Sequence, residues 1–171
     1  MRAFAVSEFG ESASIREVAE PEVGEGEVLV RVKFAGMNTT DLAVMAGFMA
    51  QYVPHVFPVV LGIDAAGVVE KVGPNTDGFA VGDEVFGYVL RQVMGMGTMA
   101  DRVSLPIGGL RQKPATWTFE HAAVIGHSSL TALAMVESAH VSAGQTIVLL
   151  GATGGVGSSK TAVPSASTDT G

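Results

Sequence analysis

Thr146 to Leu150 (TIVLL) is a β-branched and apolar run that leads without a break into Gly151-Ala152-Thr153-Gly154-Gly155-Val156-Gly157. No other stretch restricts the fold so tightly. A run of this kind bounded by turn signals has the composition of a strand buried on both faces, as in a parallel sheet. A glycine-rich turn at the end of such a strand lets the backbone approach a pyrophosphate, and the helix that follows offers its unbonded N–H groups. The pattern here is a variant with alanine first, Ala152-x-Gly154-x-x-Gly157. A tight strand-to-loop turn needing positive φ explains such glycines equally well, so the loop alone leaves both readings open. Two confirming features are missing from the sequence: a helix directly after the loop, and a charged residue about 20 positions on that reads the ribose. Ser158 to Gly171 (SSKTAVPSASTDTG) has almost nothing to bury and reads as a disordered or atypical tail.

Upstream the chain is strand-like. Met1 to Val6 is short and apolar, and Glu27 to Phe34 (EVLVRVKF) alternates with the period of a half-buried strand. Val59 to Val72, Val85 to Leu90 and Gly97 to Pro106 add three more, separated by turn chemistry at Gly73-Pro74-Asn75 and Gly82-Asp83. Short strands at about ten-residue intervals suggest a barrel or sandwich instead of repeated βαβ units. Asn38 to Ala46 is a short helix stopped by Gly47. Thr118 caps another over Phe119 to Ile125, and a third runs from Ser129 to Ala139. The predicted fold is mainly β with some α.

The 47% hydrophobic and 16% charged composition is that of a globular chain, and a net charge of −7 disfavours nucleic acid. No stretch approaches the roughly 20 apolar residues that cross a bilayer, and no secretory signal is visible, which fits a cytoplasmic address. With no cysteine there is no disulfide and no thiolate site. The four histidines, His55, His121, His127 and His140, are scattered. Met94, Met96 and Met99 lack an interleaved Cys or His, so gap-filling packing suits them better than soft-metal binding.

Five segments stand in a telling order: Asn38-Thr39-Thr40-Asp41-Leu42, Leu61-Gly62-Ile63-Asp64-Ala65-Ala66-Gly67-Val68-Val69, Gly82-Asp83-Glu84-Val85-Phe86-Gly87, Thr131-Ala132-Leu133, and Gly144 to Gly157. In that order and spacing the chain resembles the medium-chain dehydrogenases/reductases over about residues 1 to 157, and among them the zinc-free quinone oxidoreductases. The resemblance implies a GroES-like barrel domain over 1–117, followed at 118–157 by the first helix, strand and glycine loop of a Rossmann domain that stops short, with 158–171 as the tail. It also implies that zinc is absent. Zinc alcohol dehydrogenases place a cysteine where this chain has Asn38, and a His-Glu pair where it has Ile63-Asp64; isoleucine has no donor atom and asparagine is a poor ligand.

The activity implied is metal-free hydride transfer from NADPH to a quinone or an α,β-unsaturated carbonyl. Candidate catalytic residues are Asn38, orienting cofactor or substrate, Asp41, supporting its loop, and Tyr52, donating to a substrate oxygen. Candidate cofactor contacts are Thr131, Ala152, Gly154, Gly155, Val156 and Gly157. Structural alternatives stay open for each: Asp41 as a helix starter, Tyr52 as a surface or packed residue, Thr131 as helix packing. The short cofactor segment predicts little or no turnover by this chain, and the rival reading is a non-catalytic barrel module. Ile147 to Leu150, if left without neighbouring strands, is expected to pack on the barrel, stay mobile, or self-associate with a second copy through an open strand edge.

Overall fold

A computed structural model of the protein describes residues 1–89, 91–142 and 144–161. The chain forms two compact units, Met1–Gly126 and His127–Gly171.

Among the described residues of the first unit, eight strands lie in two antiparallel sheets. β1 (Arg2–Val6) sits between β2 (Ser14–Glu17) and β4 (Val59–Val60). The larger sheet has the order β7-β3-β5-β6-β8, from β3 (Glu27–Gly36), β5 (Asp64–Val72), β6 (Glu84–Tyr88), β7 (Arg102–Pro106) and β8 (Leu110–Gln112). Residues 98–101 tie the sheets together: Phe4 donates to the Met99 carbonyl at 2.8 Å, and Val32 to that of Asp101 at 3.0 Å.

The alternation in β3 does what its period requires. Val28 and Val30 point inward and are fully buried with Val69, Val85, Val103, Leu105 and Leu110. Each such side chain is worth about 1.5–3 kcal/mol when removed from water. On the outer face Glu70 of β5 accepts from Arg31 of β3 and Arg102 of β7, both at 2.7 Å, so that a carboxylate separates two arginines on adjacent strands. The Arg102 bond first, and the Arg31 bond with it, holds the Glu70 carboxyl below its ordinary range.

Small residues set the contact between sheet and helix. Ala66 packs on Ala122 and Ala123 of α2 (Phe119–Ala123), with Phe86, Trp117 and Phe119 around them. Thr118 caps α2 by accepting from the His121 N–H at 3.2 Å. Lys113 closes the turn into α2: it donates to the Trp117 carbonyl at 2.7 Å, pairs with Glu84 at 2.9 Å and lies 5.1 Å from the Phe119 ring centroid. The methionines at 94, 96 and 99 pack against the apolar clusters, the gap-filling role their sequence context suggests.

Several sequence expectations need correction. The run Val59 to Val72 is two strands, broken over Leu61–Ile63 because Gly62 turns the backbone at φ 92. β2 and β8 have no signal in the sequence, because β2 alternates little and Ile15 is 67% exposed, while β8 is three residues long. The strand over Val85 to Leu90 is β6, and Leu90 lies outside the described residues.

The second unit departs further. α3 (Gly126–Ser138) starts three residues ahead of its predicted Ser129. Thr146 to Leu150 forms no strand among the described residues, and Val148 and Leu150 are 81% and 93% exposed. A strand is defined by its neighbours, and the described residues give this run none. The helix that the sequence withheld after the glycine loop is present as α4 (Gly155–Thr161). No proline interrupts GVGSSKT, and Ser158 and Ser159 each donate to the carbonyl four residues back at 2.9 Å. The predicted tail therefore starts as helix, and its residues 162–171 lie outside the described ones. No helix among the described residues is long and apolar enough to cross a membrane.

Candidate functional site

The first residue brought into place is Asn38, because it caps a helix. Its side-chain oxygen accepts from the Thr40 N–H at 3.2 Å and from the hydroxyls of Thr39 and Thr40, each at 3.3 Å, at the start of α1 (Thr39–Met45). Its own N–H donates to Asp41 Oδ2 at 2.7 Å, which completes a capping box. The other Asp41 oxygen, Oδ1, accepts from the Gly62 N–H at 2.7 Å. Asp41 therefore joins the start of α1 to the turn between β4 and β5, 21 residues away in sequence.

Thr98 completes this latch from the far side. It is fully buried, its N–H donates to the Gly62 carbonyl at 2.9 Å, and its hydroxyl donates to the Asp64 carbonyl at 2.8 Å. A cavity of about 20 Å³, room for a water molecule, lies against Thr40, Asp41 and Gly62. Burial raises the Asp41 carboxyl above its usual range, with the two backbone N–H donors pulling the other way. With both oxygens engaged, Asp41 acts as a structural acceptor. Asn38 commits its oxygen to the helix end, so the amide N–H₂ is the group left to donate elsewhere.

Asn38 and Asp41 are thus held together. Tyr52 is 72% exposed in the loop beyond α1, and among the described residues no hydrogen bond joins it to that pair. Gly62 and Thr98 were missed as site residues. Gly62 carried a signal, a glycine between apolar residues where a strand should continue; Thr98 carried none.

In the second unit Thr131 lies inside α3, and its hydroxyl donates to the His127 carbonyl at 3.0 Å, a bond that serves the helix itself. Gly151 turns at φ 71, and a Cβ on Gly157 would overlap the Gly151 carbonyl oxygen, so the loop closes only with glycine there. Ala152 and Gly154 are exposed in the loop, and Gly155 and Val156 open α4. α4 rests on α3 through Ser129 and Ser159, whose hydroxyls are 3.2 Å apart. Among the described residues no three His, Cys, Asp or Glu side chains gather as a metal site.

The alcohol dehydrogenase GroES-like domain matches residues 24–115. The chain belongs to that family. It is 32% identical over 166 residues to 2-methylene-furan-3-one reductase of Solanum lycopersicum, covering 92% of this chain and 42% of that protein. To the quinone oxidoreductase of Pongo abelii it is 32% identical over 161 residues, 92% of this chain and 47% of that one. An alcohol dehydrogenase superfamily protein from Novosphingobium aromaticivorans superposes with a TM-score of 0.84 at 36% identity, over 94% of this chain and 48% of that one. The chain spans about half the length of the relatives it matches. The GroES-like fold and membership of the medium-chain superfamily read from the five segments are thereby established.

Asp41→Asn keeps the shape but presents one acceptor oxygen to two N–H donors, that of Gly62 buried and that of Asn38 partly so, at a cost of about 1–3 kcal/mol. Because burial raises the Asp41 carboxyl in the folded state, the native chain takes up that proton more readily than the unfolded one. The Asp41 contribution is therefore fullest below the ordinary carboxylate range, near pH 4, and declines as pH rises through the raised value. In urea unfolding across a pH series, the advantage of wild type over Asp41→Asn should shrink with rising pH. An advantage that grows would contradict the assignment.

Proposed function

We propose that the chain supplies the barrel, over 1–117, and the opening of the nucleotide-binding segment, over 118–157, of a reductase that uses NADPH without zinc to reduce quinones or α,β-unsaturated carbonyls. The observation that carries this reading is the fixed Asn38: its side-chain oxygen is committed to α1 and its backbone N–H to the Asp41–Gly62 latch, which leaves the side-chain N–H₂ to donate. Similarity to a furanone reductase and to quinone oxidoreductases supports the substrate class.

When bound, the nicotinamide supplies a hydride to the polarised carbon of the acceptor. In this reading the protein has little acid–base work to do, since a conjugated carbonyl accepts hydride once it is oriented. In this reading Asn38 would orient substrate or cofactor through its side-chain N–H₂, and Asp41 fixes Asn38. The loop 151–157, a turn that closes only with glycine at 157, is compatible with a pyrophosphate. Thr131 then lies on the helix against which that loop's own helix rests.

The test is a titration of NADPH into the 171-residue chain, followed by saturation-transfer NMR, with menadione added and the absorbance of the reduced cofactor recorded. Weak, millimolar binding through 151–157 with no measurable turnover is expected, because the chain spans half the length of its relatives. Gly157→Ala should abolish that binding. An absence of saturable binding by wild type, or binding that Gly157→Ala leaves intact, would overturn the cofactor reading and favour a non-catalytic barrel module.

A further inference from the structure

On the side away from β5, β3 is paired with β7 as far as Arg31, and the Val32 N–H then donates to the Asp101 carbonyl at 3.0 Å. Past that point a groove of about 420 Å³ opens between the end of β3, residues 98–101 and the start of β1. That volume is within the usual size of small-molecule sites. Phe4, Ile15, Val32, Phe34 and Met99 give it apolar walls. Ile15 and Phe34 are exposed, so a molecule in the groove meets them directly.

One cation in the lining is unspent, and a bulge puts it there. Val32 pairs with Gly67 and Phe34 with Ala66, so Lys33 is an extra residue with no partner in β5. In a regular strand Lys33 would face the opposite way from Val32 and Phe34; here all three line one groove. Lys33 is exposed and forms no hydrogen bond or ion pair among the described residues.

Charge decides what fits. Arg2, the other cation of the lining, is committed to Asp101: its Nη2 reaches Oδ1 at 3.0 Å, and its backbone N–H reaches Oδ2 at 2.8 Å. Two cations against one carboxylate leave the groove one positive charge, in a chain whose net charge is −7. A larger groove beside Val56 and Val93 has the opposite balance, with Glu17, Glu22 and Glu27 against Arg91. An apolar body with a negative head therefore matches the first groove and is repelled from the second. One uncompensated lysine balances one charge, which favours a monocarboxylate over the nearly doubly charged phosphate monoester.

We propose that this groove binds a free apolar monocarboxylate, its chain along Ile15, Phe34 and Met99 and its head on the Lys33 ammonium. The site is separate from Asn38 and does not depend on the reductase reading.

Octanoate, octanamide, octylamine and acetate, titrated into the 171-residue chain at low salt, separate the head from the chain. Methyl NMR of Ile15, Val32 and Met99 reports this groove, and that of Val56 and Val93 the acidic one. Octanoate should bind about fivefold more tightly than octanamide, the scale of one exposed ion pair. Octylamine should bind more weakly than either, and acetate should not saturate. The advantage of octanoate over octanamide should fade at about 1 M salt, where charges are screened beyond about 3 Å. Lys33→Gln should erase that advantage and Lys33→Arg should keep it. Ile15→Asn, at another exposed position, should weaken octanoate and octanamide alike. Octanoate that binds no better than octanamide, an advantage that survives Lys33→Gln, acetate that binds as well as octanoate, or shifts confined to Val56 and Val93 would each overturn the proposal.

Discussion

Replacing Gly67 with alanine is expected to destabilise the barrel by about 3 kcal/mol or more. Gly67 lies in β5, paired with Val32 of β3 on one side and Val85 of β6 on the other. A Cβ built there would overlap the Arg31 carbonyl oxygen and stand 2.8 Å from Val30 Cγ1. The first of these atoms is backbone in the adjacent strand, so no rotamer change relieves it. Relief requires β3 and β5 to separate at the centre of the sheet, with loss of ladder hydrogen bonds and of the packing around Val30 and Val69. Domains of this size are stable by about 5–15 kcal/mol, so the loss is a large share. Gly108→Ala is the control, because a Cβ there meets nothing within 4 Å. Urea unfolding should place Gly67→Ala far below wild type and Gly108→Ala within about 0.5 kcal/mol of it. Equal midpoints for the two variants would mean that the β3–β5 contact yields more easily than its geometry allows.

How much of this could be read from the residues depends on how local each cause is. β3 was legible because one strand's alternation is enough to mark its buried face, and Val28 and Val30 obey it. The cap of α2 was legible because Thr118 acts on an N–H group three residues away, whereas Asn38, read as part of the helix, stands just outside α1 as its cap. β8 was not legible, since its three residues are strand only because β6 lies beside them. The opposite error has the same origin: TIVLL has the composition of a buried strand, yet the described residues bring no neighbour to pair with it. At the site, Asn38 and Asp41 were singled out by the resemblance to the medium-chain reductases. The second bond of Asp41, to Gly62, spans the turn between two sheets, and the role of Thr98 depends on a segment still further along. Such contacts are products of the closed barrel and have no periodic signature.

Gly62→Ala should have the second large effect, and its cause can be divided experimentally. At φ 92 an alanine is strained by itself, by about 1–3 kcal/mol. Its Cβ would also lie 2.5 Å from the Thr98 hydroxyl oxygen and 2.8 Å from the Met99 nitrogen, which adds a steric term and raises the expected total to about 3–5 kcal/mol. Thr98→Ala alone removes that oxygen and with it the bond to the Asp64 carbonyl, at about 1 kcal/mol. If the clash matters, Gly62→Ala should cost about 1–2 kcal/mol less when Thr98 is already alanine, because the two residues touch. If only the backbone angle matters, the two costs should simply add. Amide exchange gives a second view of the same event. The turn that moves carries the N–H held by Asp41, so Gly62→Ala should speed exchange at Asn38 and Thr40 while leaving Val28 and Val30 protected. Exchange that accelerates equally at all four positions would show global loosening, and the latch would then have no separate role in fixing Asn38.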